Sequence, residues 1–160
     1  MKRILAPILL LTLLFPALAL GETMDDLVKR DGIHYKKFST VPFTGKVTEK
    51  SRGSFKDGKW DGPWVSYYDN GQLWSKGTFK DGIKDGPWVN YYDNGQLWSK
   101  GTYRDGKLEG PWVGYHDNGQ LEYKGTYKEG KRDGPWVSYN KDGTVNPKFT
   151  GTYKDSKKVK

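Results

Sequence analysis

Few side chains in this 160-residue sequence could carry chemistry, because it contains two histidines and no cysteine. The lack of cysteine excludes disulfides, thiolate metal sites and cysteine nucleophiles. His34 and His116 stand apart, and neither has a second histidine or a carboxylate at the spacing of metal ligands. We therefore expect both histidines to serve packing or the surface, and we predict no metal site and no cofactor.

Asp-Asn-Gly tripeptides at 69–71, 93–95 and 117–119 could suggest calcium, but they lack the alternating carboxylates of a calcium loop. They indicate turns instead, because Asn and Gly favour turn conformations. Nucleophilic catalysis has no candidate either, since the repeated serines have no recurring histidine or acid partner. These serines are Ser66, Ser75, Ser99 and Ser138.

Acidic residues recur every 24 residues, and each is expected to face a basic residue across a pair of strands. Such an arrangement is typical of cross-strand ion pairs and not of a general acid/base dyad. The expected pairs are Asp61 with Lys80, Asp85 with Arg104, and Glu109 with Lys128. With no other catalytic constellation in view, the sequence predicts a protein that is not an enzyme.

The elements that position these residues come from an internal repeat. Gly-Pro-Trp occurs at 62–64, 86–88, 110–112 and 134–136, so residues 61–156 form four units of 24 residues, the last with a two-residue insertion. A degenerate repeat at 41–60 precedes these four units. Abundant Trp, Tyr, Val, Thr and Gly favour strands and turns. We therefore predict an all-β repeat array of stacked antiparallel hairpins, forming an elongated twisted sheet or open solenoid.

Each unit has a predicted register. A type I′ turn at Asn70-Gly71 would place Trp64 opposite Gly77, Tyr67 opposite Trp74, and Tyr68 opposite Leu73. Alternation then divides the side chains between two faces of the sheet. The first face carries Trp64, Ser66, Tyr68, Leu73, Ser75, Gly77 and Phe79, and the second face carries Val65, Tyr67, Trp74, Lys76, Thr78 and Lys80.

The second face is the predicted partner-binding surface. Its aromatic residues and its lysines, which face valine instead of an acid, recur in columns: Tyr67, Trp74, Lys76, Tyr91, Trp98, Lys100, Tyr115, Lys124 and Tyr139. In one interpretation these side chains only close the core and keep the surface solvated. In the other they bind a partner protein. A further alternative is stacking of these rings on the sugars of an envelope polysaccharide.

Residues 1–19 have the pattern of a secretory signal peptide. Lys2 and Arg3 precede an apolar run, and Ala17 and Ala19 are the small residues expected before cleavage. An uncleaved amino-terminal anchor is the alternative. The sequence thus predicts a periplasmic or secreted protein.

Residues 20–40 are predicted to cap the array, with a short helix from Thr23 to Arg30 and a strand over 33–38. At the other end, residues 157–160 form a basic tail whose lysines discourage edge pairing.

The net charge of +8 comes from the ends of the chain. Each of the four units is neutral, whereas Lys2 and Arg3, residues 20–60 and the tail are positive. This distribution does not favour a nucleic-acid partner, and contact with a membrane surface stays an open alternative.

The segment from Lys76 to Gly86, KGTFKDGIKDG, recurs four times and resembles the MORN repeat (membrane occupation and recognition nexus) in its bacterial variant form. That form occurs in secreted proteins and in YwqK-family antitoxins. The resemblance covers residues 41–156. It implies an all-β hairpin array that acts by binding, either as an extracytoplasmic scaffold for a partner protein or as an antitoxin or immunity protein that neutralises a toxin.

Overall fold

The computed structural model describes residues 21–160, so the predicted signal peptide lies outside the described residues. Nearly every regular element is a strand, as the all-β prediction requires. The strands are β1 (Leu27–Arg30), β2 (Ile33–Lys36), β3 (Gly45–Val47), β4 (Ser51–Lys56), β5 (Lys59–Tyr67), β6 (Leu73–Lys80), β7 (Ile83–Lys84), β8 (Gly86–Tyr91), β9 (Leu97–Arg104), β10 (Lys107–Tyr115), β11 (Leu121–Lys128), β12 (Lys131–Arg132), β13 (Gly134–Ser138), β14 (Gly151–Lys154) and β15 (Lys157–Lys158).

Strands β3 to β15 build one 13-stranded antiparallel sheet in which strands follow one another almost in chain order. The short strands β7 and β12 lie off the main path and pair with β6 and β11. Strands β1 and β2 form a separate two-stranded sheet. This order confirms the predicted array of antiparallel hairpins, in which each unit contacts mainly its neighbours.

Two kinds of turn alternate along the array. Between units, Asp81 (φ 51°) and Gly82 (φ 84°) both have positive φ, the conformation of a type I′ turn. At the predicted type I′ turn, Asn70-Gly71, only Gly71 has positive φ. There the Gly71 N–H bonds to the Tyr68 carbonyl, and the Tyr68 N–H bonds to that of Gln72, which closes a three-residue loop. The type I′ prediction at Asn70 is therefore wrong.

The central part of the predicted register is correct. Trp64 pairs with Gly77, and Val65 with Lys76. Near the loop the register shifts by one residue, so Tyr67 pairs with Leu73 and not with Trp74. The predicted pairs Tyr67–Trp74 and Tyr68–Leu73 are wrong because the longer loop and a bulge at Trp74 displace one strand against the other.

The core is a file of aromatic rings on the first face. Trp88, Trp112 and Trp136 are at most 7% exposed. Each tryptophan lies over a glycine of the preceding strand, as Trp88 lies over Gly77. A tyrosine or phenylalanine ring meets each of these indoles edge to face, with centroids 5.1 to 6.4 Å apart. Such tilted contacts suit the charge distribution of aromatic rings, and they run from one unit to the next.

The cross-strand ion pairs predicted within the first three units are not formed among the described residues. Asp61 Oδ2 instead accepts a hydrogen bond from the Asp81 N–H at 3.3 Å, so its short side chain supports the turn. An ion pair of the predicted kind forms in the fourth unit, where Lys154 Nζ lies 2.8 Å from Asp133 Oδ2. The unformed pairs are Asp61–Lys80, Asp85–Arg104 and Glu109–Lys128.

The amino-terminal segment is a hairpin and not a helix. Only Met24–Asp26 forms a short 3-10 turn, and β1 begins directly afterwards at Leu27, so the helix predicted from Thr23 to Arg30 is wrong. Burial favours the strand, because Leu27 packs in a cluster with Phe43 and Phe55. This hairpin packs on the first end of the array. Within residues 21–160, no helix is long and apolar enough to cross a bilayer.

Candidate functional site

Cations and valines alternate in a single row across eight strands of the second face. Backbone pairing places Val65 between Arg52 and Lys76, and the same neighbours recur with each unit. Because paired residues share a face, all these side chains lie on the same side of the sheet. The full row is Arg52, Val65, Lys76, Val89, Lys100, Val113, Lys124 and Val137.

The four cations of this row, Arg52, Lys76, Lys100 and Lys124, are exposed. In the part of the chain that the structure describes, none of them forms an ion pair. Lysines outside the row do form such pairs, for example Lys107 Nζ with Glu129 Oε2 at 2.6 Å. Positive charge on the second face is therefore available to a ligand, whereas much of the charge at the turns is neutralised internally.

A groove of about 660 Å³ runs along this row. Three columns of side chains line it, and each column contributes one residue per unit: Pro87, Pro111 and Pro135; Val89, Val113 and Val137; Thr102 and Thr126. Lys100 and Lys124 complete its wall. Smaller depressions continue the same columns toward the first unit, at Pro63, Val65 and Thr78 and at Arg52 and Ser54. The result is an apolar floor with cations at regular intervals.

The tyrosine column borders the groove on the side of the hairpin loops. Tyr67, Tyr91, Tyr115 and Tyr139 are all partly buried. The Arg52 guanidinium lies 4.9 Å from the Tyr67 ring centroid, and Lys76 Nζ lies 5.9 Å from that of Tyr91. These cation–π contacts hold the cations beside the groove without neutralising them.

The tryptophans predicted for the binding surface lie apart from the groove. Trp74 and Trp98 are 43% and 41% exposed. Their rings pack against Tyr68 and Tyr92, with centroids 6.3 and 6.0 Å apart, at the loop end of the hairpins. The bulge that removes Trp74 from its predicted place opposite Tyr67 accounts for this position. The predicted binding residues thus divide into the lysines of the groove with their tyrosine border and a tryptophan pair at the loop end, where Trp74 and Tyr67 line a common depression.

Neither histidine lies in the groove. His34 packs against Phe55 and bonds to the Gly58 carbonyl through Nδ1 at 3.1 Å. His116 bonds to the Tyr139 carbonyl through Nε2 at 2.9 Å. Among residues 21–160, no three His, Asp or Glu side chains are arranged to hold a metal ion.

The proline column is the part of the groove that sequence reasoning missed. In the sequence, Pro63 is explained by a place at the start of a strand, where a missing N–H costs least, and this explanation requires no binding role. The 24-residue recurrence of Pro87, Pro111 and Pro135 beside the valine column was the available signal, because a fixed period places one residue of each unit in a common column.

A family model described as a MORN repeat variant matches residues 60–81, 84–105 and 108–129. These three segments begin 24 residues apart, which is the period of the observed sheet, so the chain contains three consecutive repeats of this kind. A search of curated proteins finds no match. Repeats of this class commonly mediate contacts with proteins or membranes.

Proposed function

We propose that this protein is a non-catalytic scaffold that binds an extended, acidic segment of a partner protein in the second-face groove. The observation that carries the proposal is the row in which Arg52, Lys76, Lys100 and Lys124 alternate with valines and lack ion-pair partners among the described residues. Carboxylates along a bound segment would complement this row, and the apolar floor would bury the intervening side chains.

The composition of the groove favours a polypeptide over a polysaccharide. Sugar binding of the kind considered above needs open aromatic faces, whereas proline, valine and threonine line most of this groove. Two of the four tyrosines in the bordering column, Tyr67 and Tyr91, already have a cation near the ring. Trp74 and Trp98 pack on Tyr68 and Tyr92 at the loops, away from the cation row. Binding of a glycan is therefore the less favoured alternative, and the experiment below distinguishes it from binding of a polypeptide.

The proposal includes a location outside the cytoplasm, where the signal-like pattern of residues 1–19 would direct the chain. A mature protein that begins at Leu20 would support this location. An antitoxin or immunity role would be a special case of the same binding mode, with a toxin as the acidic partner.

A cross-linking experiment tests the proposal. A photoreactive residue replaces Thr102 in the groove, and a second preparation carries it at Lys157 on the last strand. Both preparations are mixed with envelope and secreted proteins of the organism that produces this protein. We expect a partner to be joined at position 102 through an acidic segment, as mapped by mass spectrometry. The Lys157 preparation should not yield this product.

The charge-reversal variant Lys100→Glu plus Lys124→Glu should lose the cross-link. The matched control, Lys157→Glu plus Lys160→Glu, makes the same change of net charge outside the groove and should keep it. Equal yields from these two variants would overturn the proposal. Sedimentation of the protein with isolated cell wall, without a protein cross-link at position 102, would overturn it in favour of the polysaccharide.

A further inference from the structure

The spacing of the cation row limits the conformation of a bound segment. Consecutive cations, such as Lys76 on β6 and Lys100 on β9, are separated by one intervening strand. Neighbouring strands lie about 4.8 Å apart, so the cations recur about every 9.6 Å across the sheet. Arg52, Lys76, Lys100 and Lys124 therefore mark three such steps, a distance of about 29 Å.

A polyproline II helix matches this spacing and an ordinary strand or helix does not. It has three residues per turn and rises about 3.1 Å per residue, so every third side chain returns to the same face after about 9.3 Å. In a strand, three residues span about 10 Å, but the third side chain points to the opposite face. In an α-helix, side chains three or four residues apart share a face but are separated by only about 4.5–6 Å, and those seven residues apart are separated by about 10.5 Å, so the mismatch with the cations grows to about 3 Å over three steps.

The groove also provides the surface that a polyproline II segment needs. Such a helix has no internal hydrogen bonds and presents rigid, largely apolar ridges, which dock on apolar or aromatic grooves at little cost in conformational entropy. Here the valines alternate with the cations in one row, and beside that row each proline pairs with a threonine, as Pro87 pairs with Thr102. The flexible lysine stems can follow the twist of the sheet while keeping the ammonium groups near the ligand.

We infer that the ligand is a polyproline II segment of about ten residues with a carboxylate at every third position, one for each cation of the row. This inference rests on the proposed function and adds the conformation and charge period of the bound segment. Prolines between the carboxylates would pre-organise the segment and contact the valine and proline columns. Each 24-residue repeat of the protein therefore corresponds to three residues of its ligand.

Synthetic peptides separate charge period from total charge. The probe is the twelve-residue peptide (Glu-Pro-Pro)4, and the control is Glu4Pro8, which has the same composition with its carboxylates in one block. Because only the periodic peptide can place one carboxylate at each cation, we expect it to bind about tenfold more tightly in calorimetry at low salt. Added salt should reduce this difference.

Two protein variants locate the binding. Lys76→Ala plus Lys100→Ala should weaken binding of the periodic peptide by about fivefold or more. Lys157→Ala plus Lys160→Ala removes the same charge outside the groove and should leave binding unchanged. Circular dichroism and thermal unfolding verify that both variants keep the native fold.

The outcomes distinguish the inference from the proposed function. Equal binding of the two peptides would overturn the charge period while leaving an acidic groove ligand in place. Failure of both peptides, with the position-102 cross-link still dependent on Lys100 and Lys124, would overturn the polyproline conformation alone. Failure of both peptides together with loss of that dependence would overturn both. Tighter binding of polygalacturonate than of the periodic peptide would also overturn the inference.

Discussion

The indole N–H of Trp88 donates a hydrogen bond to Oδ1 of Asn90, two residues along the same strand, at 3.1 Å. The same oxygen accepts the Ser75 hydroxyl at 2.7 Å, and the Asn90 amide donates to Ser99 Oγ at 2.9 Å. One asparagine thus satisfies a buried tryptophan and joins three strands. The preceding unit lacks this residue, because Ser66 occupies the equivalent position.

Replacing Ser66 by Asn should stabilise the protein. The Trp64 indole nitrogen is buried and has no partner among the described residues. Ser66 lies between Ser51 and Ser75 in the sheet, as Asn90 lies between Ser75 and Ser99. The new amide would repeat the network, and satisfying a buried donor is worth about 1 kcal/mol.

Urea denaturation measures the effect of Ser66→Asn, with Asn90→Ser as the reciprocal variant. Asn90→Ser should lower the free energy of unfolding because it leaves the Trp88 indole unpaired. A Ser66→Asn protein that is no more stable than the parent would contradict the transfer of this network between units.

Gly101→Ala should destabilise the core. An added Cβ would lie 1.8 Å from Cε3 of Trp112, so the ring would have to move within a file of packed aromatics. Overpacking of this kind costs about 1–3 kcal/mol. Thr102→Ala, at an exposed position next along the strand, is the control and should change the unfolding free energy by less than about 0.5 kcal/mol.

Thermal unfolding of Gly101→Ala and Thr102→Ala provides the comparison. A Gly101→Ala protein as stable as Thr102→Ala would show that the Trp112 ring can move without loss of stability. The packing of each tryptophan would then not require a glycine beneath its ring.

Much of the fold could be predicted from the 24-residue period. The errors in strand register arise at the hairpin loop. The pairing of Val65 with Lys76 could be predicted because alternation and the Gly-Pro-Trp positions constrain the middle of each strand. Asn70-Gly71 is ambiguous, since a type I turn followed by a left-handed glycine needs positive φ at Gly71 alone. The longer loop and the bulge removed Trp74 from its predicted pairing with Tyr67, which pairs with Leu73 instead.

Part of the candidate site could be predicted from the sequence, and part of it could not. Lys76 and Lys100 were predicted on the second face opposite valine, and pairing places them there. The prolines of the groove were missed because a strand-start role already explained them. The amino-terminal helix was wrong because the capping pattern at Thr23 and Asp26 is satisfied by a single turn, after which burial of Leu27 favours a strand.

Gly114 and Tyr123 should prove to be energetically coupled. In the third unit the Tyr123 ring occupies the space above Gly114, where a Cβ would lie 2.3 Å from Cζ. The first unit has two serines, Ser66 and Ser75, at the equivalent paired positions. Gly114→Ser alone should destabilise by about 1–3 kcal/mol through overpacking.

Tyr123→Ser alone should also destabilise, by about 3 kcal/mol, because it removes a ring stacked 5.8 Å from Trp136. The double variant restores the serine pair of the first unit, so its loss should be smaller than the sum of the two single losses by about 1 kcal/mol or more. A double-mutant cycle in urea measures this term. Simple additivity would show that Gly114 and Tyr123 do not compensate each other.

Acid should destabilise the array through carboxylates at its turns. A hydrogen bond from Lys154 lowers the pKa of Asp133, and hydrogen bonds from Lys107 and Lys141 lower the pKa of Glu129 and of Asp117. Because each folded-state pKa lies below its unfolded value, the stabilisation is complete above the unfolded pKa, about 4. It is lost as the pH falls through the folded pKa. The denaturation midpoint should therefore hold from pH 7 to about 5 and decline below about 4.

Removing the lysine partners isolates this acid effect. Lys107→Met plus Lys154→Met should flatten the decline of the denaturation midpoint, since the pKa values of Glu129 and Asp133 then approach their unfolded values. Lys157→Met plus Lys160→Met makes the same charge change without touching these pairs and should keep the parent slope. Lys107, Glu129 and Lys154 are exposed and Asp133 is partly exposed, so added salt should reduce the difference between the two variants. Identical slopes at low salt would show that the Lys107–Glu129 and Lys154–Asp133 ion pairs contribute nothing to stability.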